Sequence, residues 1–392
     1  MSGILETRQE AKTSIILPGG IIAILGGGQL GRMTAMAART MGYRVRVMDP
    51  EPVCPASFVV DETITGQWDD VGAARRLATG ADAVTLEIEQ IGVDALAEVA
   101  RIAPLRPGVE PIRIIQDKTL QKAWLADAGF PVGPFRVVHT EQQLQAAVTE
   151  LDQRVFLKIG KGGYDGRGQA RIGLDTPASE ARIAAAWRSI GAQPAVAEQA
   201  LELDCEISVM AARNPSGQVL TYPAARNHHE NQILEWSVLP AGVPRELEVR
   251  AEALAAAIVE RLGLEGLLCV EIFVTRSGEL LVNELAPRPH NSYHQSERGC
   301  VTSQFEQLVR TVCNLPLGST EFLTPAAIVN LLGEVWLNGN PNFAAALAVP
   351  GVRLHLYEKH TPRAGRKMGH LSAVGATAEE ALERVLDAKR RL

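Results

Sequence analysis

The chain has 392 residues, of which 46% are hydrophobic and 21% charged, enough for two or three domains with buried cores. Its net charge of −6 argues against a protein that coats nucleic acid, because such a protein needs a clustered basic face. No apolar stretch approaches the ~18 residues of a membrane span. The five cysteines are scattered and form no C-x-x-C pair, which indicates reduced thiols, so we expect a cytoplasmic protein with no membrane partner.

A glycine loop follows the first predicted strand. Gly26, Gly28 and Gly31 have the G-x-G-x-x-G spacing of a dinucleotide-binding loop, and Asp49 ends the next predicted strand. Amides at the start of the following helix would face an anion. From these residues alone, NAD and another phosphate compound remain alternatives.

Strand and helix signals alternate along residues 20–115. The pattern predicts a parallel sheet with right-handed crossovers. Predicted strands cover residues 22–25, 44–48 and 83–86, and predicted helices cover 30–41 and 70–78. We expect an N-terminal arm over residues 1–19 and a boundary after residue 115, beyond the proline-containing segment 105–111.

Two further regions follow. Over residues 116–200, helices are predicted at 117–129, 142–151 and 178–190, with strands at 154–160 and 195–201. The remainder, residues 201–392, contains a predicted long helix at 246–262, a strand pair and a final helix at 378–391.

The stretch LKIGKGGYDGRGQAR packs five glycines into residues 160–168, between two segments that resemble strands. Such a loop is entropically costly, and it indicates close approach of backbone amides to a ligand, most often a phosphate. Lys158, Lys161 and Arg167 lie in or beside it, and no G-K-[ST] follows, so this is not a Walker A loop. The alternative is a mobile hairpin with solvated charges.

A predicted hairpin carries two carboxylates. With a two-residue turn at residues 277–278, Glu271 would lie opposite Glu284, and Ile272 opposite Asn283. Two opposed carboxylates repel each other unless a cation or a shared proton intervenes. Because Mg²⁺ prefers oxygen ligands and binds phosphates, we interpret the pair as a metal clamp for a nucleotide, against the alternative of two solvated acids.

Other polar residues carry weaker signals. Glu198 could bind an adenine amino group and Glu206 ribose hydroxyls, although solvated acids are the simpler interpretation. Four basic residues, Lys359, Arg363, Arg366 and Lys367, lie within nine positions and could bind a phosphate monoester. Four histidines, His228, His229, His290 and His294, are candidates for polar roles, but no pair has the H-E-x-x-H spacing, so we expect no zinc.

Six motifs, taken together and in order, resemble the ATP-grasp superfamily and, within it, the N5-carboxyaminoimidazole ribonucleotide synthetases. They are GGGQLGRM, QDKTLQK, GGYDGRGQ, VNELAPRPHNS, TSQFEQ and GRKMGHL, and the resemblance covers residues 22–371. It implies a mixed α/β and α+β fold of three domains. These are a Rossmann-like preATP-grasp domain (20–115), a central lid (116–200) and a C-terminal region (201–392).

The resemblance also implies roles for individual residues. It places ATP against Lys118, Lys158, Gly163, Tyr164, Asp165, Gly166, Arg167, Gly168, Gln169, Glu198, Gln199, Ala200, Leu201, Glu206, His229, Asn283 and Glu284. It assigns Mg²⁺, or Mn²⁺, to Glu271 and Glu284. The catalytic group around bicarbonate and the reacting amine would be Tyr164, Arg167, Arg288, His290 and Asn291. The ribonucleotide would bind Gln29, Leu30, Glu87, Lys359, Arg366 and Lys367, and its phosphate would face the Gly26 loop.

The activity implied by the resemblance is ATP-dependent carboxylation of 5-aminoimidazole ribonucleotide with bicarbonate in purine biosynthesis. Carboxyphosphate is the intermediate, and N5-carboxyaminoimidazole ribonucleotide, ADP and phosphate are the products. A homodimer and a downstream mutase are the implied partners. The alternatives are another ATP-grasp ligase, such as a formate-dependent glycinamide ribonucleotide transformylase, an NAD-dependent dehydrogenase, and a nucleotide sensor without turnover.

One position departs from the family pattern. The family usually reads H-N-S-G-H, whereas this chain has HNSYH, with Tyr293 in place of glycine. If that glycine serves a positive φ or a close approach of substrate, tyrosine would be strained or would narrow the site. Substrate fit near His290 and His294 is therefore the part of the family pattern that carries over least directly.

Overall fold

The computed structural model describes residues 14–163, 168–337 and 339–392. Its N-terminal sheet contains four strands in the order β3-β2-β1-β4, and every neighbouring pair is parallel, as predicted. All five residues of β1 are buried, which is typical of a parallel sheet covered on both faces. The strands are β1 (Ile21–Leu25), β2 (Arg44–Asp49), β3 (Glu62–Thr65) and β4 (Ala83–Leu86), and the helices are α1 (Gln29–Thr40), α2 (Val71–Ala78), α3 (Val93–Ile102) and α4 (Val109–Ile115). A 3₁₀ turn covers Pro55–Phe58.

The middle of the chain forms a separate four-stranded antiparallel sheet in the order β5-β8-β6-β7. Three side chains, Asp117, Thr140 and Ser179, cap the helices of this region by accepting hydrogen bonds from first-turn amides, which fixes where each helix begins. The strands are β5 (Phe135–Val138), β6 (Val155–Ile159), β7 (Gln169–Ile172) and β8 (Ala195–Gln199), and the helices are α5 (Lys118–Asp127), α6 (Glu141–Glu150) and α7 (Glu180–Ser189).

The C-terminal region is built on a large antiparallel sheet in the order β14-β13-β9-β11-β12-β15-β17-β16, with β10 added beside β9. Its strands are β9 (Leu203–Arg213), β10 (Val219–Thr221), β11 (Ala225–Glu230), β12 (Ile233–Leu239), β13 (Gly266–Thr275), β14 (Leu280–Ala286), β15 (Ala326–Leu332), β16 (Arg353–Leu356) and β17 (Lys367–Val374). Its helices are α8 (Arg245–Leu262), α9 (Ser296–Gly299), α10 (Gln304–Val312), α11 (Glu334–Leu337), α12 (Phe343–Leu347) and α13 (Ala378–Arg390), and a 3₁₀ turn covers Asn291–Tyr293.

The long helix α8 packs on the half of this sheet that carries the carboxylate hairpin. Its buried face, which includes Leu247, Ala251 and Ile258, belongs to the same apolar cluster as Val270 and Val282 of β13 and β14. This packing holds the hairpin rigid from behind and leaves its polar face toward the lid. Among the described helices, none combines the length and apolar character needed to cross a bilayer.

Candidate active site

The hairpin of β13 and β14 brings the two predicted carboxylates together, although the length of its turn and the pairing of a neighbouring residue differ from those expected. Glu271 lies directly opposite Glu284, as predicted. The turn, however, has three residues, because Thr275 and Glu279 pair through a backbone hydrogen bond of 3.0 Å, and Gly278 takes a φ of +80°. A β-bulge then follows, so that Ile272 pairs with Val282 rather than with Asn283.

The bulge has a chemical consequence. The extra residue in β14 is Asn283, which is therefore not confined to the opposite face of the sheet. Its amide donates to Glu271 Oε2 over 3.4 Å, and its Oδ1 accepts from Lys158 Nζ over 3.1 Å. The longer turn and the bulge offset each other in register and place three oxygen-bearing side chains on one surface.

The two opposed carboxyl groups differ in the direction of their pKa shifts. Burial, reinforced by the negative charge of Glu284, raises the pKa of Glu271. Burial would also raise the pKa of Glu284, but Lys118 and Lys158 hold it below its usual value. Lys118, at the start of α5, donates directly to Glu284 Oε1. One carboxylate is thus neutralised by a lysine, whereas the other lacks a cation of equal strength.

This arrangement fits a hard divalent cation. Mg²⁺ takes carboxylate and amide oxygens, and Glu271, Glu284 and Asn283 present such atoms on one surface. Desolvation disfavours the ionised form of Glu271 and so raises its pKa, and a bound cation would stabilise that ionised form. Glu271 and Glu284 are therefore the residues that would hold Mg²⁺.

A second charged cluster lies where the lid meets the hairpin. Glu198 on β8 receives two lysines, with Lys158 Nζ 2.5 Å from Oε2 and Lys122 Nζ 2.9 Å from Oε1. Burial alone would raise the pKa of Glu198, but these two cations lower it to about 2. Glu198 therefore stays ionised and orients Lys158 toward Asn283.

The remaining residues assigned to the nucleotide lie around these clusters. Glu206 on β9 and His229 on β11 form an ion pair, with Oε2 and Nδ1 2.7 Å apart. The Gln199 side chain instead donates outward to Asp152 over 2.7 Å, and the Ala200 amide donates to the Arg154 carbonyl over 2.8 Å. The half-buried Leu201 follows them on the same strand end.

The glycine-rich loop connects two antiparallel strands, as expected, because Lys158 on β6 pairs with Gln169 on β7. Gly168 has a φ of +71°, and an added Cβ would lie 2.4 Å from Ile159 Cδ1. Gly163 borders the loop on its other side. Four of the predicted site residues, Tyr164, Asp165, Gly166 and Arg167, lie outside the described residues.

The segment after β14 carries the predicted catalytic group toward the first domain. Arg288 Nε lies 2.7 Å from Glu89 Oε1, and this ion pair keeps the pKa of Arg288 high although burial would lower it. His290 Nε2 lies 3.2 Å from Glu271 Oε1, and burial together with Arg288 holds the pKa of His290 well below its usual value. Since the Ser292 amide donates to His290 Nδ1, the neutral ring presents its Nε2 proton to Glu271.

A chain of hydrogen bonds continues from this segment to the basic tail. Asn291 Oδ1 accepts from Gln29 Nε2 over 2.7 Å, and Gln29 Oε1 accepts from Lys359 Nζ over 2.9 Å. Lys359 also donates to the carbonyl of the buried Lys367. Arg366 lies nearby and donates to the Thr361 carbonyl over 2.9 Å. The contact between Gln29 and Lys359 joins residues 330 positions apart.

Leu30, predicted as a substrate contact, has a buried side chain. Leu30 is only 5% exposed and packs in an apolar cluster with Met33, Phe305 and Tyr357. It therefore fixes α1 against the C-terminal region. Its neighbour Gln29, by contrast, points into the polar chain described above.

The Gly26 loop does bind an anion, but the anion belongs to the protein. The amides of Gly28 and Gly31 donate to the two oxygens of Glu87 over 2.5 and 2.7 Å, and the Gly27 amide donates to Asp49 over 2.9 Å. A Cβ added at Gly28 would lie 2.4 Å from Glu87 Oε1, so these glycines make room for a carboxylate. The amides of Gly27, Gly28 and Gly31 thus bind carboxyl groups of the protein itself, and contact between the loop and a substrate phosphate stays a prediction.

Family models match the chain along most of its length. The model for the ribonucleotide synthetase preATP-grasp domain matches residues 20–116, and that for the ATP-grasp domain matches residues 123–305. The model for the phosphoribosylaminoimidazole carboxylase C-terminal domain matches residues 326–384. Together they show an ATP-grasp enzyme with three-domain architecture.

Individual relatives narrow the assignment. The chain is 41% identical over 373 residues to N5-carboxyaminoimidazole ribonucleotide synthase of Bacillus subtilis, covering 95% of this chain and 96% of the relative. It belongs to the N5-carboxyaminoimidazole ribonucleotide synthases. The enzyme from Staphylococcus aureus complexed with ADP superposes with a TM-score of 0.88 at 31% identity, covering 97% of this chain and 99% of that one. The Aspergillus clavatus synthase in complex with ADP and 5-aminoimidazole ribonucleotide gives 0.86 at 30% identity, covering 97% and 100%.

Tyr293, the departure from the synthase pattern, is not strained and does not narrow the site. It lies at the end of the 3₁₀ turn, is not among the described residues with positive φ, and is 0% exposed. Its hydroxyl lies 2.8 Å from the carbonyl oxygens of both Ser208 and Pro223, and its ring packs edge-on against Tyr222. The side chain is directed into the core, so neither backbone strain nor a narrowed site follows from this tyrosine.

Two residues that contact the predicted site residues were not predicted from the sequence. Lys122 lies one helical turn after Lys118 on α5, and the i, i+4 spacing was the available signal. Glu89 lies two residues after Glu87, beyond the carboxyl end of β4, where parallel sheets place functional groups. Both act on a predicted residue, Lys122 on Glu198 and Glu89 on Arg288.

Replacing Glu198 with glutamine is expected to destabilise the synthase by about 3 kcal/mol at pH 7, because its pKa is about 2 in the folded chain and about 4.5 when unfolded. The contribution of a depressed carboxyl pKa is complete above pH ~4.5 and is lost as the pH falls toward 2. Urea unfolding at several pH values measures the free energy of unfolding of both proteins. The difference between Glu198→Gln and the parent should become smaller as the pH falls.

The exposed Glu202 provides the matched control for this experiment, since its ion pair with Arg154 spans 3.5 Å at the surface. Glu202→Gln should change stability by less than about 1 kcal/mol at any pH. If the stability difference between Glu198→Gln and the parent were constant from pH 7 to pH 3, the lowered pKa assigned to Glu198 would be wrong.

Proposed function

We propose that this chain carboxylates 5-aminoimidazole ribonucleotide with bicarbonate and ATP, forming N5-carboxyaminoimidazole ribonucleotide, ADP and phosphate in purine biosynthesis. One observation carries the proposal most strongly. One line of polar contacts runs from Lys158 through Asn283 and Glu271 to His290, and a second runs from the neighbouring Asn291 through Gln29 to Lys359. These two lines provide a nucleotide end and a phosphate-monoester end within one site.

The first step requires charge neutralisation at the nucleotide end. An oxygen of bicarbonate attacks the γ-phosphorus of ATP, the bond to the β-phosphate oxygen breaks, and ADP leaves with that electron pair. Lys118 and Lys158 are assigned to the phosphate oxygens, and Glu284 and Glu198 orient their ammonium groups. Mg²⁺, when bound at Glu271 and Glu284, supplies further neutralisation of phosphate charge.

The second step requires a closed, cationic pocket. Carboxyphosphate loses phosphate to release CO₂, and the exocyclic amine of the ribonucleotide forms the new C–N bond while losing a proton. Arg288, held by Glu89, is the group we assign to the carboxyphosphate oxygens. Neutral His290 is assigned as the proton relay, and exclusion of water protects the intermediate.

The ribonucleotide end is assigned to Gln29, Lys359, Arg366 and Lys367. Glu87 is assigned there as well, through its support of the loop that carries Gln29. The phosphate would be bound by the basic residues of the tail, because the loop amides already bind Glu87 and Asp49. The adenosine is assigned to the strand end at residues 198–201, to Glu206 and to His229.

The larger organisation is part of the same proposal. Three separate sheets, within residues 21–86, 135–199 and 203–374, support domain boundaries after residues 19, 115 and 200. We propose a homodimeric, cytoplasmic enzyme whose carbamate product is consumed by a mutase. Light scattering of the purified chain at several concentrations tests the dimer.

The decisive experiment is ADP release from Mg-ATP with bicarbonate, with and without 5-aminoimidazole ribonucleotide. Ribonucleotide-dependent ADP formation, together with transfer of labelled carbonate to the ribonucleotide, is the expected result. Formate with glycinamide ribonucleotide in place of these substrates tests the alternative ligase. ATP binding without turnover on either pair would favour a nucleotide sensor and reject the proposal.

A further inference from the structure

The last two strands of the large sheet bring together side chains that no predicted role uses. His355 on β16 pairs directly with His370 on β17, and their rings stack with centroids 5.0 Å apart and planes 8° apart. Glu297, on the short helix α9, approaches from a third element. Within the described residues, one ligand atom from each of Glu297, His355 and His370 lies within 4.8 Å of the other two.

We propose that Glu297, His355 and His370 form a binding site for a divalent transition metal of the zinc type, separate from the Mg²⁺ site at Glu271 and Glu284. Two imidazoles and one carboxylate are a frequent zinc ligand set that leaves a fourth position for water. A tetrahedral zinc ion with ~2.0 Å bonds needs ligand atoms about 3.3 Å apart, so side-chain shifts of about 1 Å complete the site.

The surroundings orient His370 as a ligand. The hydroxyl of the fully buried Tyr357 lies 2.7 Å from His370 Nδ1, and a partner of this kind on one ring nitrogen leaves Nε2 for a metal. Burial holds the pKa of His370 well below its usual value, and burial also lowers that of His355. Both rings are therefore neutral at pH 7, as metal ligands must be.

The neighbouring histidine is not a fourth ligand. His294 stacks on His370 with ring centroids 4.6 Å apart, but its Nδ1 contacts Gln304 and its Nε2 contacts Asn291. The open position faces a cavity of about 270 Å³ that Glu297 and His355 line with Met33, Met36, Ser303 and Glu306. Water can therefore reach the metal from this side.

The local charges favour a transition metal over Mg²⁺ or Ca²⁺. Positive charge from Arg353 acts on Glu297, and Arg32 acts in the same way on His355. A hard cation depends on several anionic oxygens, which these arginines disfavour, whereas imidazole nitrogens bind zinc, cobalt and nickel without net negative charge. A bound ion would link β16, β17 and α9 and raise thermal stability.

The test is titration of the full chain, freed of metal by chelation, with Co²⁺ as the spectroscopic probe and Zn²⁺ as the competitor. We expect one Co²⁺ per chain with the visible absorption of a tetrahedral complex, displacement by Zn²⁺, and a Zn²⁺-dependent rise in melting temperature. His355→Gln and Glu297→Gln should each weaken binding by at least about 10-fold. Glu297 is exposed, so Glu297→Gln should fold as the parent does. Its metal affinity therefore still tests the site if His355→Gln is unstable.

Two controls distinguish this site from other metal binding. Glu284→Gln should leave the Co²⁺ spectrum and stoichiometry intact, because it alters only the Mg²⁺ site. His139→Gln, at an exposed histidine outside the cluster, should also bind as the parent does. Absence of Co²⁺ binding below about 100 µM, binding unchanged in both cluster variants, or loss of the signal in Glu284→Gln would overturn the proposal.

Discussion

Glu284→Gln is expected to lower ribonucleotide-dependent ADP formation by about 10³-fold with the fold intact. The substitution removes the carboxylate that holds Lys118 and that lies opposite Glu271. It thereby removes one of the two carboxylates proposed to hold Mg²⁺ and releases the lysine assigned to the phosphates. Loss of one such preorganised charge from a transition state costs roughly 3–4 kcal/mol, which corresponds to this factor. Steady-state ADP release at saturating Mg-ATP measures it.

Glu279→Gln on the same hairpin is the matched control. Glu279 is exposed beside the three-residue turn, and its contact is with Ser277 rather than with a lysine. This variant should keep the parental rate. If Glu284→Gln retained more than a tenth of the parental activity, the carboxylate pair would not be the metal clamp of this enzyme.

Tyr293→Ala is expected to lower the free energy of unfolding by about 3–5 kcal/mol. The substitution empties a site that is 0% exposed and leaves two carbonyl oxygens without the phenol hydroxyl near them. Tyr293→Phe keeps the ring and should cost only about 1 kcal/mol. Urea unfolding of the full chain, compared with the parent, measures both losses in the free energy of unfolding.

The activity of the folded variants separates a packing role from a substrate role. Because the Tyr293 side chain is buried and its hydroxyl contacts backbone carbonyls of the core, folded Tyr293→Phe should keep the parental KM for the ribonucleotide. Phe58→Ala, at an aromatic ring that is 54% exposed, is the control for ring removal and should be nearly neutral. A Tyr293→Phe enzyme of parental stability with a strongly raised KM would show that Tyr293 contacts substrate.

Much of the architecture could be predicted from the sequence because its signals are local. The continuous apolar run of β1 and the Asp117, Thr140 and Ser179 caps define elements without reference to the rest of the chain. The pairing of Glu271 with Glu284 was also predictable, although for a partly mistaken reason. The assumed turn was one residue too short, and the unforeseen bulge at Asn283 corrected the register.

The parts that could not be predicted depend on distant contacts. That Glu87 would bind the Gly26 loop follows from β4 lying beside β1 in the sheet, which the glycine spacing does not encode. The inward direction of Tyr293 depends on carbonyl oxygens of residues 208 and 223. The histidine pair of β16 and β17 has no sequence signature, because 15 positions separate its members and a strand register brings them together.

The carboxylate within the Gly26 loop changes the thermodynamics of ligand binding. A loop that waits for a phosphate orders only when the ligand arrives, and the lost conformational entropy weakens the affinity. Here Glu87 and Asp49 satisfy the loop amides in the free chain, so that entropy is lost during folding. Gln29 is consequently presented in a fixed orientation before substrate binds, and a dinucleotide pyrophosphate would have to displace two anions to enter.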